Sequence, residues 1–572
     1  MGFSSSAQLF VFVCKTSCFL WLFSFRLRHG RARNVLSKSG IITLLCIFAA
    51  YIPAMILVQQ CEYFLVNDFR PYHISCFEDW TQRLLSYFNP FDTTVWLHRP
   101  VPESFEWVSS LVFKGHPGLW HIVSLSFRLL TIALVWMLLG CFRCSNHARI
   151  IGTLFIAFFP AFPESQLIFA ETLLIPFLLI TYIGVAVLYK EAGTHGARTS
   201  LAVITIASFI LMTLCKEILA PLSLTFLIFF YPVLWRRQKN LFRVFYTAMS
   251  LATMLQLQRC YLTIFQPYAQ GGENAGHSPM SAITNLVWIA GDSFLLRTNV
   301  APTTILLFLF TAVGFYQLAR AFISKQPSRG VGLLCVISFV VTVVIHLLTP
   351  YRALRYLYPG AVLLVPAMAY GYDAFLPAST RLKAWIFKYL AVALFLFSLP
   401  CIYAQALSMQ ASSKADWAFL SYIVQQYSAG KDIVFVKEQD YERSIWAKSE
   451  LRGVNLTGQL RKGNNGHILE VERSIDFKYI NPNSIVVSTP VMHPDKNKGD
   501  LLSLKIDKTF DFTRQGTPYA LLSRIQSLTK AFNPFYRFLA EGGSSPFPGH
   551  YWQTYVPVSG DVHSEVPYLS IE

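Results

Sequence analysis

Charge is what this sequence has least of. Charged residues make up 14% of its 572 positions, and only 31 of them are Asp or Glu; an ordinary soluble domain carries about a quarter. With 54% hydrophobic and 15% aromatic residues and a mean hydropathy of +0.43, the scarcity excludes a globular cytosolic enzyme and a disordered chain. The 11 cysteines fall mostly inside apolar runs, where a thiol is a small apolar group, so the chain is not a disulfide-rich secreted module. Internal repeats and low-complexity tracts are absent. Cys141 and Cys144 form a C-x-x-C with no second half-site, which argues against zinc or redox chemistry there. Cys61 and Cys76, in one loop, are a candidate pair for an oxidising compartment.

What is present is a series of apolar stretches able, or nearly able, to cross roughly 30 Å of hydrocarbon. They occupy 40–59, 119–140, 149–163, 172–189, 200–216, 217–235, 243–264, 302–322, 331–349, 357–375 and 386–405, about eleven crossings. Lys216 and Glu217 split what would otherwise be one overlong helix into a hairpin, because two ionisable groups at bilayer centre are costly. The net charge of +17 sits between the runs: Arg26 to Lys38, Arg143 and Arg149, Lys190 and Arg198, Arg236 to Arg243, Lys325 and Arg329, and Arg381 to Lys388. One parity makes all of these cytoplasmic under the positive-inside rule, so the basic excess reads as a topology signal and a nucleic-acid partner is not expected. Residues 7–25 are apolar but contain Lys15, and their basic cluster follows them, the reverse of a cleavable signal peptide. An extra span and an interfacial helix both fit.

The expected organisation is therefore an N-terminal apolar segment and basic stretch (1–39), a transmembrane body (40–405, with a long outer loop at 60–118), and a tail (406–572). In the tail, short apolar runs at Asp432–Val436, Ile485–Ser488 and Leu501–Ile506, set off by Asn, Pro, Gly and Lys, predict a small extracytoplasmic α/β domain. Asn455-Leu-Thr457 is a glycosylation sequon on that face.

Ionisable residues gather on the same outer side. The first outer loop holds Asp68 with Arg70, then Glu78 and Asp79 before an amphipathic stretch at 80–87, and ends in Lys114-Gly-His116-Pro-Gly-Leu-Trp-His121. Glu164 and Glu171 occupy the second loop, Lys216 and Glu217 the third, and Arg352 and Arg355 lie in the run Tyr351 to Pro359. A carboxylate takes the proton of an attacking hydroxyl, while guanidinium and ammonium groups neutralise a departing phosphate. Plainer readings exist for each. Glu78-Asp79 suits a solvated helix start, and Asp68 with Arg70 suits a surface ion pair worth under ~1 kcal/mol. Lys216 suits a snorkelling turn residue, Arg352 and Arg355 suit headgroup anchors amid tyrosines, and His116 and His121 suit interface histidines.

The order of these features resembles the GT-C fold glycosyltransferases, in particular the branch holding the protein O-mannosyltransferases and the lipid A aminoarabinose transferase. The segments that carry it, over about 40–375, are the acidic first outer loop, the Lys114 to His121 entry, the short acidic second loop, Leu214-Cys-Lys-Glu-Ile-Leu-Ala-Pro221 and Arg355-Tyr-Leu-Tyr-Pro359. The resemblance implies inverting sugar transfer from a polyprenyl-phosphate donor on the extracytoplasmic side to a lipid, glycan or protein acceptor. The membrane would be a bacterial inner membrane or the endoplasmic reticulum. It implies Asp79 as catalytic base, with Glu78 beside it and Asp68 as rival. Lys216, Arg352 and Arg355 would hold the donor phosphate. Glu171 would support the site or a divalent cation, Mg or Mn, and Lys114, His116 and Glu217 are secondary candidates. Where the aminoarabinose transferases have Glu-Lys-Pro-Pro, this chain has Lys114-Gly-His116-Pro, a departure at those two positions. A transporter or lipid flippase is the alternative, its charges lining a path; a scaffold whose tail binds a partner is a third.

Overall fold

The computed structural model describes residues 38–61, 89, 99–113, 117–159, 169–190, 195–216, 220–235, 246–258, 289, 291, 293–295, 298–323, 327–347, 354–375, 381–437, 468–472, 484–488, 504–511, 524, 527, 531 and 551–557. The chain is an α-helical polytopic membrane protein. Among the described residues, Gly40–Gln59, Gly118–Cys141, Ala301–Ala321 and Arg381–Leu407 are long and apolar enough to cross a bilayer, and Thr172–Leu188, Thr199–Thr213 and Gly332–Val343 are shorter apolar helices.

In chain order the helices are α1 (Lys38–Gln59), α2 (Pro100–Phe113), α3 (Pro117–Cys141), α4 (Asn146–Ala157), α5 (Phe169–Lys190), α6 (His195–Thr213) and α7 (Ala220–Trp235). After a helical stretch at 246–258 follow α8 (Ala301–Ile323), α9 (Pro327–Leu347), α10 (Leu354–Phe375), α11 (Arg381–Ala393) and α12 (Leu399–Ser428). Two spans and one charge differ from expectation. The run 149–163 yields a helix that stops at Ala157, since Phe159 precedes Pro160 and a residue before proline is pushed out of the helical region. The run 386–405 belongs to a continuous rod from Arg381 to Ser428, broken only by a π-helical stretch at Leu394–Ser398. Arg149, expected among the loop charges, is buried inside α4. Helix α2, inside the long loop, had no counterpart in the sequence reading; Phe105 packs edge-on against Phe127 of α3, 5.4 Å between ring centres.

Helix packing relies on small residues, as it must where lipid offers no hydrophobic drive between helices. A side chain at Gly371 of α10 would strike the carbonyl of Phe310 on α8, and one at Gly314 of α8 would strike that of Ala367 on α10. The π-helical stretch is held by Asn299, fully buried, whose amide donates to the Ala393 carbonyl at 3.3 Å and to the Ser398 hydroxyl at 2.8 Å. Helix α3 ends in a 6→1, 5→2 pair of hydrogen bonds, Cys144 to Leu139 and Arg143 to Gly140. The left-handed position is taken by Arg143 at φ 57°, where glycine is usual. Helix α12 ends the same way with Gly430 at φ 83°.

The rod leads into a five-stranded mixed sheet of order β2-β1-β3-β5-β4: β1 (Ile433–Lys437), β2 (Ile468–Glu472), β3 (Ile485–Ser488), β4 (Leu504–Asp511) and β5 (Tyr551–Pro557). Strand β1 is parallel to β2 and β3, β5 is antiparallel to β3 and β4, and α12 lies against β1, β4 and β5.

Candidate functional site

The most heavily built polar site lies where α4 ends within the helical bundle. A helix terminus leaves its last carbonyls without intrahelical donors, and in an apolar interior each orphan is costly. Arg128, from the middle of α3, supplies them. Its Nη2 donates to the Phe159 carbonyl at 2.5 Å and to that of Ala157 at 3.4 Å. Its Nε donates to the Tyr51 hydroxyl at 3.0 Å, and that hydroxyl donates to Ala157 in turn. The guanidinium also lies 4.9 Å from the ring centre of Tyr358, which packs on Phe159 at 5.7 Å. A cation at a helix C-terminus meets the negative end of the macrodipole, so position and charge agree. One residue thereby ties α1, α3, the end of α4 and the first turns of α10 together.

On α3, His121, Ser124 and Arg128 recur at spacings of three and four, hence on one face, and all three are buried. The hydroxyls of Ser124 and Tyr358 are buried and have no hydrogen-bond partner among the described residues.

Of the residues to which the resemblance gives a role, three have described backbones. Arg355 stands in the first turn of α10, three residues before Tyr358. Pro359 has no N–H to give back to the Arg355 carbonyl, which loosens the helix there. Glu171 stands in the first turn of α5. Lys216 follows α6 and is buried, 4% exposed. Helices α5 and α6 form an antiparallel hairpin in which Gly184 lies directly against Thr205. Counting from that contact in equal steps sets Thr213, the last residue of α6, level with Pro176, so Lys216 follows at the end of the hairpin where α5 begins. The expected break in the helix near Lys216 is present: α6 ends at Thr213, whose hydroxyl shares a hydrogen bond with that of Ser223 on α7 at 3.0 Å. Asp79, Glu78, Asp68, Arg352, Lys114, His116 and Glu217 lie outside the described residues, as does Cys76, while Cys61 is buried at the end of α1. Among the described residues, no group of three or more His, Cys, Asp and Glu side chains is arranged to hold a metal ion.

Arg128 and Tyr51 were missed in the sequence because the runs 119–140 and 40–59 that hold them read as apolar on average. The signal was a lone arginine at mid-span, which only a partner or a function keeps in place.

No family model and no curated protein matches the chain. Among solved structures it is similar to ArnT from Cupriavidus metallidurans, both bound to undecaprenyl phosphate and in the apo state: 13% identity, TM-score 0.44, covering 82% of this chain and 96% of that one. It is also similar to the arabinofuranosyltransferase AftD from Mycobacteria, at 11% identity and TM-score 0.38, over 92% of this chain and 40% of that one. Neither likeness is close enough to carry an assignment.

Proposed function

We propose that the chain is a membrane glycosyltransferase of the GT-C kind, moving a sugar from a polyprenyl-phosphate donor to an acceptor on the extracytoplasmic side with inversion. The observation that carries the reading is that Lys216 is buried at the end of the α5–α6 hairpin at which α5 begins, with Glu171 in its first turn. A lysine buried at the end of a membrane helix hairpin that also carries an acid is the kind of ionisable residue kept for function. The order of sequence motifs supports the same reading.

In this reading an acceptor hydroxyl or amine attacks the anomeric carbon and its proton passes to a carboxylate of the first outer loop, Asp79 first and Asp68 or Glu78 as rivals. The bond from that carbon to the phosphate oxygen breaks, and its electron pair leaves on the phosphate. Lys216, Arg352 and Arg355 offset the charge that develops there. Glu171 orients Lys216 or supports a divalent ion; no step depends on one. Arg128 touches no reacting atom. It fixes the first turns of α10 and with them the backbone of Arg355.

The test is transfer of labelled sugar from a polyprenyl-phosphate donor by purified protein. Asp79→Asn and Asp68→Asn, made separately, are expected to differ, one losing activity by about 10²-fold or more. Lys216→Met is expected to lose on the order of 10²-fold in kcat. Full activity in both Asn variants removes the mechanism.

A further inference from the structure

Helix α11 carries a stripe that the catalytic reading does not use. Arg381, Trp385, Lys388 and Val392 recur at spacings of four, three and four, so they share one face, and all four are exposed. Phe395 and Leu396, also exposed, follow in the π-helical stretch. The stripe is graded: two cations and an aromatic at one end, only apolar side chains at the other. From Arg381 to Leu396 it spans about 22 Å at the helical rise, close to one leaflet of a bilayer with its headgroups, roughly 20 Å.

The cationic end is built in a definite way. Lys383, on the opposite face, is buried and paired with Asp373 at 3.5 Å. Arg381 and Lys388 have no ion pair or hydrogen bond among the described residues, and the five residues before them, Leu376 to Thr380, contain no acid. Between the two cations the Trp385 ring stacks on Tyr389, 5.8 Å apart and 10° from parallel. The Tyr389 hydroxyl shares a hydrogen bond with Thr303 of α8 at 3.1 Å, which holds the pair in place. We infer that this face binds one anionic phospholipid. Its phosphate would lie between Arg381 and Lys388 at the level of the indole, and an acyl chain would run along Val392, Phe395 and Leu396. A guanidinium and an ammonium about two turns apart suit a single phosphate lying between them, the second reaching it by snorkelling. An aromatic pair at headgroup depth suits the glycerol region.

The test is thermal unfolding and native mass spectrometry of the full chain in a neutral detergent. Phosphatidylglycerol, phosphatidylcholine of the same chains, or inorganic phosphate is added in separate arms. Phosphatidylglycerol is expected to raise the unfolding temperature and to be retained as one copy, the other two not. The double variant Arg381→Gln with Lys388→Gln is expected to bind it about 30-fold more weakly, since each surface cation is worth about a fivefold preference for an anionic lipid. Arg143→Gln, an exposed cation off this stripe, is expected to leave binding unchanged. Equal response to both lipids, a response to inorganic phosphate alone, or undiminished binding by the double variant overturns the proposal. Both positions are exposed, so the variant is expected to fold, and its unfolding temperature without lipid verifies this.

Discussion

Arg128 and Arg149 stand near opposite ends of the twelve-residue helix α4 and are equally buried, 3% exposed each, yet their surroundings differ in kind. Arg128 meets the C-terminal end, where carbonyls lack donors, and four main-chain and aromatic groups close around it. Arg149 lies in the first turn of α4, where the macrodipole is unfavourable to a cation. It stacks on the face of Trp136 at 4.0 Å and donates to that residue's carbonyl at 3.2 Å. Trp136 is mid-helix in α3, so its carbonyl has a helical donor already. The N-terminal end of α4 is capped without Arg149. Ser145 accepts from the Ala148 N–H at 3.3 Å, and Asp373 of α10 accepts from the Ser145 N–H and hydroxyl at 2.8 and 2.5 Å. Equal burial thus conceals unequal dependence: the helix requires Arg128 and accommodates Arg149.

The largest expected effect follows from that inequality. Arg128→Met leaves the carbonyls of Ala157 and Phe159 and the Tyr51 hydroxyl short of donors in an apolar interior, a loss expected at about 3 kcal/mol or more. Arg128→Lys keeps the charge but not the fork, and should fall between wild type and Met. Unfolding in mixed micelles is the measurement; a loss under 1 kcal/mol for Arg128→Met would break the comparison. Tyr51→Phe comes next. Its hydroxyl both accepts from Arg128 and donates to Ala157, so removing it strands the Arg128 Nε and leaves Ala157 only the longer bond from Nη2, at a cost of about 2 kcal/mol. Arg149→Met should cost less, about 1 kcal/mol, because it gives up a cation–π contact and a hydrogen bond to a carbonyl that has a helical donor already.

How much of this was legible beforehand depended on whether the signal was local. The apolar runs marked the helices because crossing a bilayer is a property of a segment alone. The Lys216 turn was legible for the same reason: charge in the middle of an apolar run has a local cost. Proline marked the early end of α4 in the sequence, but the apolar residues Phe158, Phe159, Ala161 and Phe162 concealed it, since a buried helix end needs apolar neighbours as much as a helix does. What could not be read was pairing. Nothing near Arg128 in sequence names Tyr51, seventy-seven positions away, or Phe159 as its partner. Likewise Lys383, one of a basic trio in the sequence, turned inward to Asp373 while its neighbours Arg381 and Lys388 did not, a choice made by the fold.

The smallest expected effect separates holding from acting. Tyr358 and Tyr51 both contact Arg128, but Tyr358 does so through its ring, and its hydroxyl has no partner among the described residues. Tyr358→Phe keeps the ring under the guanidinium and against Phe159, so stability should move by less than about 0.5 kcal/mol, and upward if the buried hydroxyl is an uncompensated cost. Transfer activity reports on the other possibility. A buried hydroxyl with no partner among the described residues, one turn from Arg355, is justified if it meets a ligand, and then Tyr358→Phe should lower kcat/KM by about tenfold with the unfolding curve unchanged. Were Tyr51→Phe and Tyr358→Phe to lose stability equally, the Tyr358 hydroxyl would support the site as much as the Tyr51 hydroxyl does. The distinction between the two ends of α4 would then rest on Phe159 and Ala157 alone.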